Sequence, residues 1–578
     1  MKRILYIFVV CIIAVTATAV CAQDAQPSPT PTVTDKQNVS PEDLKGVPAI
    51  APNYSSDDRG LPDLGRVGVD ITKQRSLTLK ETIELALENS KDIEITRKNV
   101  REAEFDLQST RGIYQPRFNA QTYYDSSKSP NVSIFSSNSS TTVRSLVGNA
   151  SVTGYVPNFG TVVTGSFNNA RVTTDNPISI LSPQDNSSLG FSLTQPLFRG
   201  RRFDQNRRTI EIAKKNLSLT DTQFRQRSIE IVATAEKAYW DLAFALRNLQ
   251  VQRDSVRDAK DQLDHNKRLV EEGQLAPIDI VAAETQVANF EQAVYDALNV
   301  VNQAENAIKN LIATNRNDAV WSQSLTPIDS VDIQVPRTTL TEAMDTALQN
   351  RPEIEINKDQ KDINAVDQRF YRDQKKPQID LIASYNSSGV GGDQNPRFSS
   401  PFPLPCTTSP TSPACQSQLA NLSLLTGNPF GGIFQNRYPT FRVGINISLP
   451  LFGDKTAAAQ LGKSLVESEK IETQREQIEQ GIQVDVRNAL QAIRTAEARL
   501  RAAAIARENT AKQYDSEQRK LDAGQSDVYK VLDRQTALAV ARSNELRART
   551  ELNKAIADLE RATGNSLKAN DVSPKVVK

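Results

Sequence analysis

Histidine, methionine and cysteine are scarce in this chain. Its 578 residues include one histidine, His265, two methionines and four cysteines. A single histidine excludes a metal site built from several histidines and a Ser/His/Asp triad, and it removes most schemes of general-base catalysis. No glycine loop of the phosphate-binding kind is present. We therefore predict a protein that is not an enzyme and has no cofactor or resident metal, while metal remains open as cargo.

The chain has no excess of charge of either sign. Lysine and arginine total 69, and aspartate and glutamate total 68. This balance gives no reason to expect a nucleic acid as a partner. Outside the N-terminal segment, no run approaches 18 apolar residues, so the sequence predicts no membrane-spanning helix.

The N-terminal segment has the layout of a secretory signal. Lys2 and Arg3 precede an apolar run from residue 4 to about residue 15, and small residues follow up to Ala22. The pattern predicts that residues 1–22 are a signal peptide, cleaved after Ala22.

The four cysteines fall into two groups. Cys11 and Cys21 lie in the predicted signal peptide. A second interpretation makes Cys21 the lipid-modified first residue, although the valine before it fits poorly. Cys406 and Cys415 stand in a stretch rich in proline and serine, where a disulfide is a better prediction for an exported protein than a metal site. The alternative is that both stay reduced.

An internal duplication organises the chain. Residues 79–127 recur without a gap at residues 340–388, 261 positions later. The pattern of each copy predicts one helix that ends at a proline and is followed directly by a strand. Further on, Gln195–Phe198 recurs as Leu449–Phe452, so we infer two halves with one order of elements.

The duplication sets the predicted domain boundaries. They are a signal peptide (1–22), an extended leader (23–75), a first repeat (77–313), a connector (314–337), a second repeat (338–567) and a tail (568–578). The leader has little hydrophobic periodicity, and the tail is predicted to be loose.

Each half contains a very long helix. Residues 201–272 hold no glycine and no proline, which predicts a helix on the order of 105 Å long. Other long helices must cover its apolar stripe. Gly273 ends it, and Pro277 opens another helix to about Ala313, in a first turn that tolerates proline.

The second half repeats this plan. A long helix is predicted over about residues 456–522, and Gly524 breaks it. Ser526 is the predicted N-cap of a helix over residues 527–563.

Strand patterns follow the proline that ends each opening helix. Residues 117–124 alternate apolar and polar side chains, as a strand with two unlike faces should. Residues 150–155 and 161–170 flank Pro157–Gly160 and predict an additional hairpin. Residues 189–197 alternate again.

One chain alone has too few strands for a barrel and leaves the apolar stripes of its long helices uncovered. Two to four strands per half cannot close a barrel alone. Both problems are solved if several copies associate around one axis, so that strands pool into a barrel and helices into a hollow cylinder. The alternative is an exported coiled-coil adaptor or scaffold protein without a pore.

From about Leu77 to Leu567 the sequence resembles the TolC-like outer-membrane efflux protein family. The paired openings Leu79–Asn89 and Leu340–Asn350, the Pro-Leu-Phe strand ends and the two glycine turns carry the resemblance. Each piece is a weak signal, but their repeated order is a strong one.

The resemblance implies a mixed α and β fold in a homotrimer. About four strands per subunit would form a 12-stranded barrel in outer-membrane lipid, continued by a long periplasmic α-helical barrel. The additional hairpin is expected to extend the barrel or its external loops. The implied function is a passive exit duct for efflux or type I secretion, working with a periplasmic adaptor and an inner-membrane transporter.

The resemblance also implies a gate near the helical tips. Asp533 matches one acidic position that narrows the tunnel, whereas Lys530 occupies the other. Asp279 matches a gate position after the first glycine turn, but Ser526 replaces its expected basic partner.

Four further residues match the tips that face the adaptor: Gly273, Gln274, Gly524 and Gln525. The simpler interpretation is that the two glycines are needed only to turn one helix into the next.

Overall fold

The computed structural model describes residues 66–131, 139–330, 335–400, 404–450 and 454–573. The predicted signal peptide, with Ala22 and Cys21, lies outside the described residues, as does most of the leader. Leu451 and Phe452 of the second Pro-Leu-Phe copy also lie outside them.

Strands and helices alternate in groups through the first half. The first elements are strand β1 (Asp70–Leu77) and helices α1 (Leu79–Asn89) and α2 (Lys91–Arg111). Next come four long strands, β2 (Arg117–Pro130), β3 (Ser140–Val156), β4 (Thr161–Thr174) and β5 (Leu181–Pro196). The half closes with the long helix α3 (Gln205–Glu271), helix α4 (Pro277–Ile312) and the short strand β6 (Gln323–Pro327).

The second half begins with the same frame. Its elements are α5 (Leu340–Asn350), α6 (Pro352–Gln374), β7 (Gln378–Gln394), the short helices α7 (Pro405–Thr408), α8 (Pro413–Leu425) and α9 (Pro429–Phe434), strand β8 (Tyr438–Ser448), and helices α10 (Lys455–Asp522), α11 (Val528–Ala562) and α12 (Ser566–Ala569). Helices α5 and α6 and strand β7 each begin 261 positions after α1, α2 and β2. The duplication in sequence is therefore a duplication of structure.

Each repeat opens with two helices, so the prediction of a single opening helix is wrong. The backbone is extended at Ser90, with ψ 129°, and at Arg351, with ψ 126°. Pro352 disfavours a helical conformation at Arg351 and then occupies the first turn of α6. Arg351 is held at this break by an ion pair with Asp485 at 2.9 Å.

The long helices begin at aspartate N-caps. The carboxylates of Asp204 and Asp454 each accept a hydrogen bond from the amide three residues later, at 2.8 and 2.9 Å. Asp527 does the same for the amide of Lys530 at 2.9 Å, so the prediction of Ser526 as N-cap is wrong by one residue. A carboxylate in this position also lies close to the positive end of the helix dipole.

Helix α3 is the centre of the helical part and contacts α1, α2, α4, α6 and α11. Ala233, Ala235 and Ala245 of this helix are buried, and Tyr239 is fully buried beside Trp240. Small side chains let the axes of neighbouring helices approach closely. None of the helices in the described part of the chain is long and apolar enough to cross a membrane.

A two-stranded parallel sheet of β1 and β6 covers the middle of the helical part. Strand β1 includes residues 70–75 of the predicted leader, and β6 lies in the predicted connector. Arg66 forms a buried ion pair with Glu305 at 2.8 Å, and the other Glu305 oxygen accepts a hydrogen bond from the Leu325 amide. These contacts tie β1 and β6 to α4.

The second sheet has six antiparallel strands in the order β2-β3-β4-β5-β7-β8. The predicted hairpin is β3 and β4, and both strands are longer than the pattern indicated. The expectation of about four strands per subunit is therefore wrong. The hairpin adds two strands that pair along 14 residues in the middle of the sheet.

The buried carboxyl group of Glu236 and the half-buried one of Glu560 are bridged by an asparagine. Asn570 donates hydrogen bonds to Glu236 at 2.5 Å and to Glu560 at 3.5 Å. Burial and the neighbouring Glu560 raise the pKa of Glu236 to about 8, and burial raises the pKa of Glu560 to about 7. Asn570 belongs to the predicted loose tail, which is thus packed against α3 and α11 as far as Val572.

We expect Glu236→Gln to stabilise the protein above pH 8 and to leave it unchanged near pH 4.5. The folded-state pKa of about 8 exceeds the ordinary value of 4.5, so the stability that the proton provides is lost as the pH rises between these values. The gain at alkaline pH should amount to several kcal/mol, up to roughly 5 kcal/mol once Glu236 is fully ionised. Denaturant unfolding across this pH range measures it, with exposed Asp264→Asn on the same helix as control. A gain that does not depend on pH would contradict the assignment.

Candidate functional site

One face of the six-stranded sheet is apolar. Residues that pair directly across antiparallel strands point to the same side. One row of such pairs crosses all six strands: Phe118, Val152, Gly165, Phe191, Tyr385 and Phe441. The next row adds Val163, Leu193, Ala383 and Val443. We call this the apolar face, and its large side chains are exposed, up to 80% at Phe441.

The opposite face is polar. One row across all six strands consists of Asn119, Ser151, Ser166, Gly190, Asn386 and Thr440. The next consists of Arg117, Thr153, Thr164, Ser192, Ser384 and Arg442. We call this the polar face. Such a sheet suits a boundary between an apolar medium and water.

Both edges of this sheet are open. Within the described strands, β2 pairs only with β3, and β8 pairs only with β7. All 14 residues of β2 and all 11 residues of β8 are exposed. Unpaired strand edges of this length are templates for pairing with another chain.

The turn between β3 and β4 is fixed to the end of β5 and to the loop that leads into helix α3. Gln195 donates a hydrogen bond to the Phe159 carbonyl at 3.1 Å. Gly160 has φ +67°, and a Cβ atom there would lie 2.9 Å from the Gly200 carbonyl oxygen. The hairpin therefore extends along the sheet as far as the helical part and is an integral part of the sheet.

The ends of both long helices have the same backbone geometry. Gly273 and Gly524 adopt φ +72° and +69°. The amide of Gln274 donates to the Leu269 carbonyl, and the amide of Gln525 donates to the Lys520 carbonyl, both at 2.8 Å. This is the Schellman motif, in which a left-handed residue ends the helix.

The two tips lie side by side. Leu275, just after the first tip, packs against Leu521, Val528, Val531 and Leu532 of the second. His265 of α3 hydrogen-bonds Asp522 of α10 at 3.0 Å. The four residues that the resemblance assigns to the adaptor-facing tips are therefore at one end of the helical part.

The structure distributes the predicted gate residues over both tips. Asp279 accepts a hydrogen bond from the Ala276 amide at 3.1 Å and so caps its own helix. The Ser526 hydroxyl donates to Glu517. Asp533 is exposed on α11. Among the described contacts, none joins Asp279, Ser526 and Asp533 directly.

Lys530 is paired within its own tip. Its ammonium group lies 2.9 Å from the Asp527 carboxylate. This contact lowers the pKa of Asp527 and raises that of Lys530. The Ser526 hydroxyl and then Lys520 lower the pKa of Glu517.

Sequence reasoning missed Asp527 and Glu517 as tip residues. For Asp527 a signal was available, because aspartate directly before the first residue of a helix is a preferred N-cap. Glu517 comes nine residues before Ser526 and reaches it only because the chain reverses at Gly524. That contact has no sequence pattern of its own.

A disulfide joins Cys406 to Cys415, with Cα atoms 4.5 Å apart. It links α7 to the first turn of α8. Among the described residues, no group of three His, Cys, Asp or Glu side chains is arranged as a metal site.

We expect Gly524→Ala to reduce the free energy of unfolding by about 1 kcal/mol, because alanine is strained at positive φ. Gly481→Ala is the matched control, since Gly481 is exposed in the interior of α10 with open space around its Cα. There alanine should stabilise the helix by about 0.5–1 kcal/mol. Denaturant unfolding of both variants checks the prediction, and a change of the same sign in both would contradict it.

Comparison with known proteins agrees with this architecture. A model of the outer membrane efflux protein family matches residues 149–314 and 343–565, more than half of the chain. No curated protein matches the sequence significantly.

Several solved structures are similar over nearly the whole chain. The outer-membrane channel OprN has a TM-score of 0.59 at 15% identity, over 89% of this chain and 98% of OprN. The Campylobacter jejuni CmeC outer membrane channel has a TM-score of 0.58 at 14% identity, over 84% and 86% of the two chains. The Neisseria gonorrhoeae MtrE outer membrane channel has a TM-score of 0.54 at 16% identity, over 85% and 89%. At these identities the likeness shows the fold.

Proposed function

The chain belongs to the outer membrane efflux protein family, and on this premise we propose that it is the exit duct of a tripartite efflux pump or a type I secretion system. It is a protein of the outer membrane, with its long helices extending into the periplasm. Substrates pass through it passively, from a periplasmic adaptor and an inner-membrane transporter to the exterior. The duct is a conduit and not an enzyme.

The two-faced sheet carries this proposal. Its apolar face fits the hydrocarbon of the membrane, and its polar face fits a water-filled lumen. A scaffold protein without a pore has no use for a sheet whose exposed side chains include Phe441 at 80% and Val443 at 70% exposure. The scaffold alternative is therefore the weaker one.

The open sheet edges support a homotrimer. In hydrocarbon, a strand edge without hydrogen-bond partners costs several kcal/mol per group, so the sheet must close. Strand β2 of one copy pairs with β8 of the next in this proposal. Three copies with six strands each then form a barrel of 3 × 6 = 18 strands, wider than the 12 strands that the resemblance implies.

The helical tips form the periplasmic end of the duct. Gly273, Gln274, Gly524 and Gln525 face the adaptor, and exposed Asp533 lines the narrow part of the tunnel. Asp279, Ser526 and Lys530 lie at the same end and belong to the gate in this proposal. Within one copy their contacts stay in their own tips, as the Lys530–Asp527 pair and the Ser526–Glu517 hydrogen bond show.

We expect Val443→Lys to reduce the amount of inserted trimer strongly, while Asn446→Lys inserts normally. Both residues lie on β8, but Val443 is on the apolar face and Asn446 is on the polar face. A lysine near the membrane midplane costs about 2–4 kcal/mol on the lipid side. Heat-modifiable trimer on gels and single-channel conductance in planar bilayers measure the outcome.

Wild-type protein should form conducting trimers in the same assay. A soluble periplasmic monomer, or equal behaviour of the two lysine variants, would contradict the proposal.

We expect Asp533→Asn to weaken the block of the channel by multivalent cations, because it removes a negative charge from the tunnel wall. The measurement is conductance with the cation added on the periplasmic side. The control is Asp571→Asn, which removes an exposed carboxylate far from the tips. If the block is unchanged in Asp533→Asn, Asp533 does not line the pore, whereas the proposed function as a duct is not contradicted.

A further inference from the structure

The connection between β7 and β8 has an unusual composition. From Phe398 to Asn436, 39 consecutive residues include no Asp, Glu, Lys, Arg or His, in a chain of which 24% is charged. A surface loop in water has no reason to exclude every charge, because charged side chains are the ones that water solvates best. We call residues 398–436 the charge-free segment.

Its last helix, α9, lies on the apolar face of the sheet. The Ser387 hydroxyl donates a hydrogen bond to the Ile433 carbonyl at 2.9 Å. Phe430 stacks on Phe167 with ring centroids 6.1 Å apart. By strand register, Ser387 and Phe167 lie on the same side as Tyr385 and Phe191, which belong to the apolar face.

The contact is close enough to require glycine. A Cβ atom at Gly389 would lie 1.8 Å from the Pro429 carbonyl oxygen, and one at Gly391 would lie 2.1 Å from that of Gly427. Both residues point to the apolar side of β7, because they alternate with Ser387. Backbone thus packs directly on backbone, and the segment is seated on this face.

The segment covers the part of the apolar face where the sheet itself is least apolar. Towards the end of the sheet that is far from the helices, the residues of β5 and β7 on this side are Asp185, Ser187, Ser387, Gly389 and Gly391. Asp185 forms an ion pair with Arg171 of β4 at 3.9 Å. Ser187 and Ser387 are buried beneath it, at 2% and 6% exposure. The apolar surface at this level comes from the segment instead, through Leu419, Leu424, Phe430 and Phe434, of which Phe434 is 84% exposed.

We propose that α8 and α9 of the charge-free segment are seated in the outer leaflet, with Phe434 against lipid acyl chains. The inference rests on the proposed function, which places the apolar face in the membrane. Its occupant is lipid because the segment continues that face and itself contains no charged side chain. The segment extends the lipid-facing belt where the strands no longer supply it.

Tryptophan fluorescence in lipid vesicles tests this placement. The full-length Phe434→Trp trimer is reconstituted into phosphatidylcholine vesicles with brominated acyl chains, which quench tryptophan on contact. Wild-type protein is the blank, since its two tryptophans, Trp240 and Trp321, lie in the helical part and its connector. Phe441→Trp on the apolar face is the positive control, and Tyr123→Trp on the polar face is the negative one.

We expect Phe434→Trp to lose as much emission as Phe441→Trp, and Tyr123→Trp to lose none. If Phe441→Trp is quenched and Phe434→Trp is not, the segment projects into water or contacts another protein, and the inference is overturned while the duct stands. If Phe441→Trp is not quenched either, the proposed function itself fails.

A second pair of variants links the placement to the glycine contact. Adding Gly389→Ala to Phe434→Trp should abolish the quenching, because the new methyl group displaces α9 from the sheet. Adding Gly444→Ala should not, because the space around that glycine is open. Trimer formation is measured in parallel, and full quenching in the Gly389→Ala variant would overturn the seating of α9 on β7.

Discussion

The open edges of the six-stranded sheet impose the constraint on which the rest of the structure depends. Backbone amides and carbonyls of β2 and β8 need partners, and hydrocarbon provides none. In the proposed function, a sheet with an apolar and a polar face meets this need by closing on itself with further copies. The long helices follow the same logic, since a helix of 67 residues, such as α3, must bury its apolar stripe against neighbours of similar length.

The two repeats share a frame and differ in what they insert into it. The frame is two helices, an outgoing strand, a returning strand, a long helix and a shorter helix. Between its outgoing and returning strands, the first repeat inserts a hairpin that widens the sheet, and the second inserts the charge-free segment, which lies on its apolar face. The duplication thus supplies the symmetry, and the insertions decide the width and the outer surface of the sheet.

The tips show the same division between shared backbone and different side chains. Gly273 and Gly524 end α3 and α10 with the same Schellman geometry. The helices that follow begin differently, one at Pro277 with Asp279 reaching back to the cap, the other at Asp527 paired with Lys530. Nearly equivalent helix ends therefore carry unequal charges.

The features that depend on short-range patterns were predicted from the sequence. The 261-residue offset, the glycine ends of the long helices, Pro277 in a first turn and the hairpin around Pro157–Gly160 each follow from local periodicity or backbone preference. The break between α1 and α2 at Ser90 was not predicted, because no proline or glycine marks it. Only the tertiary structure decided that the hairpin joins the middle of the sheet, that Glu236 meets Glu560, and that α9 lies on the apolar face. These contacts join residues far apart in the chain, and their free energy comes from burial and close approach, which no local pattern records.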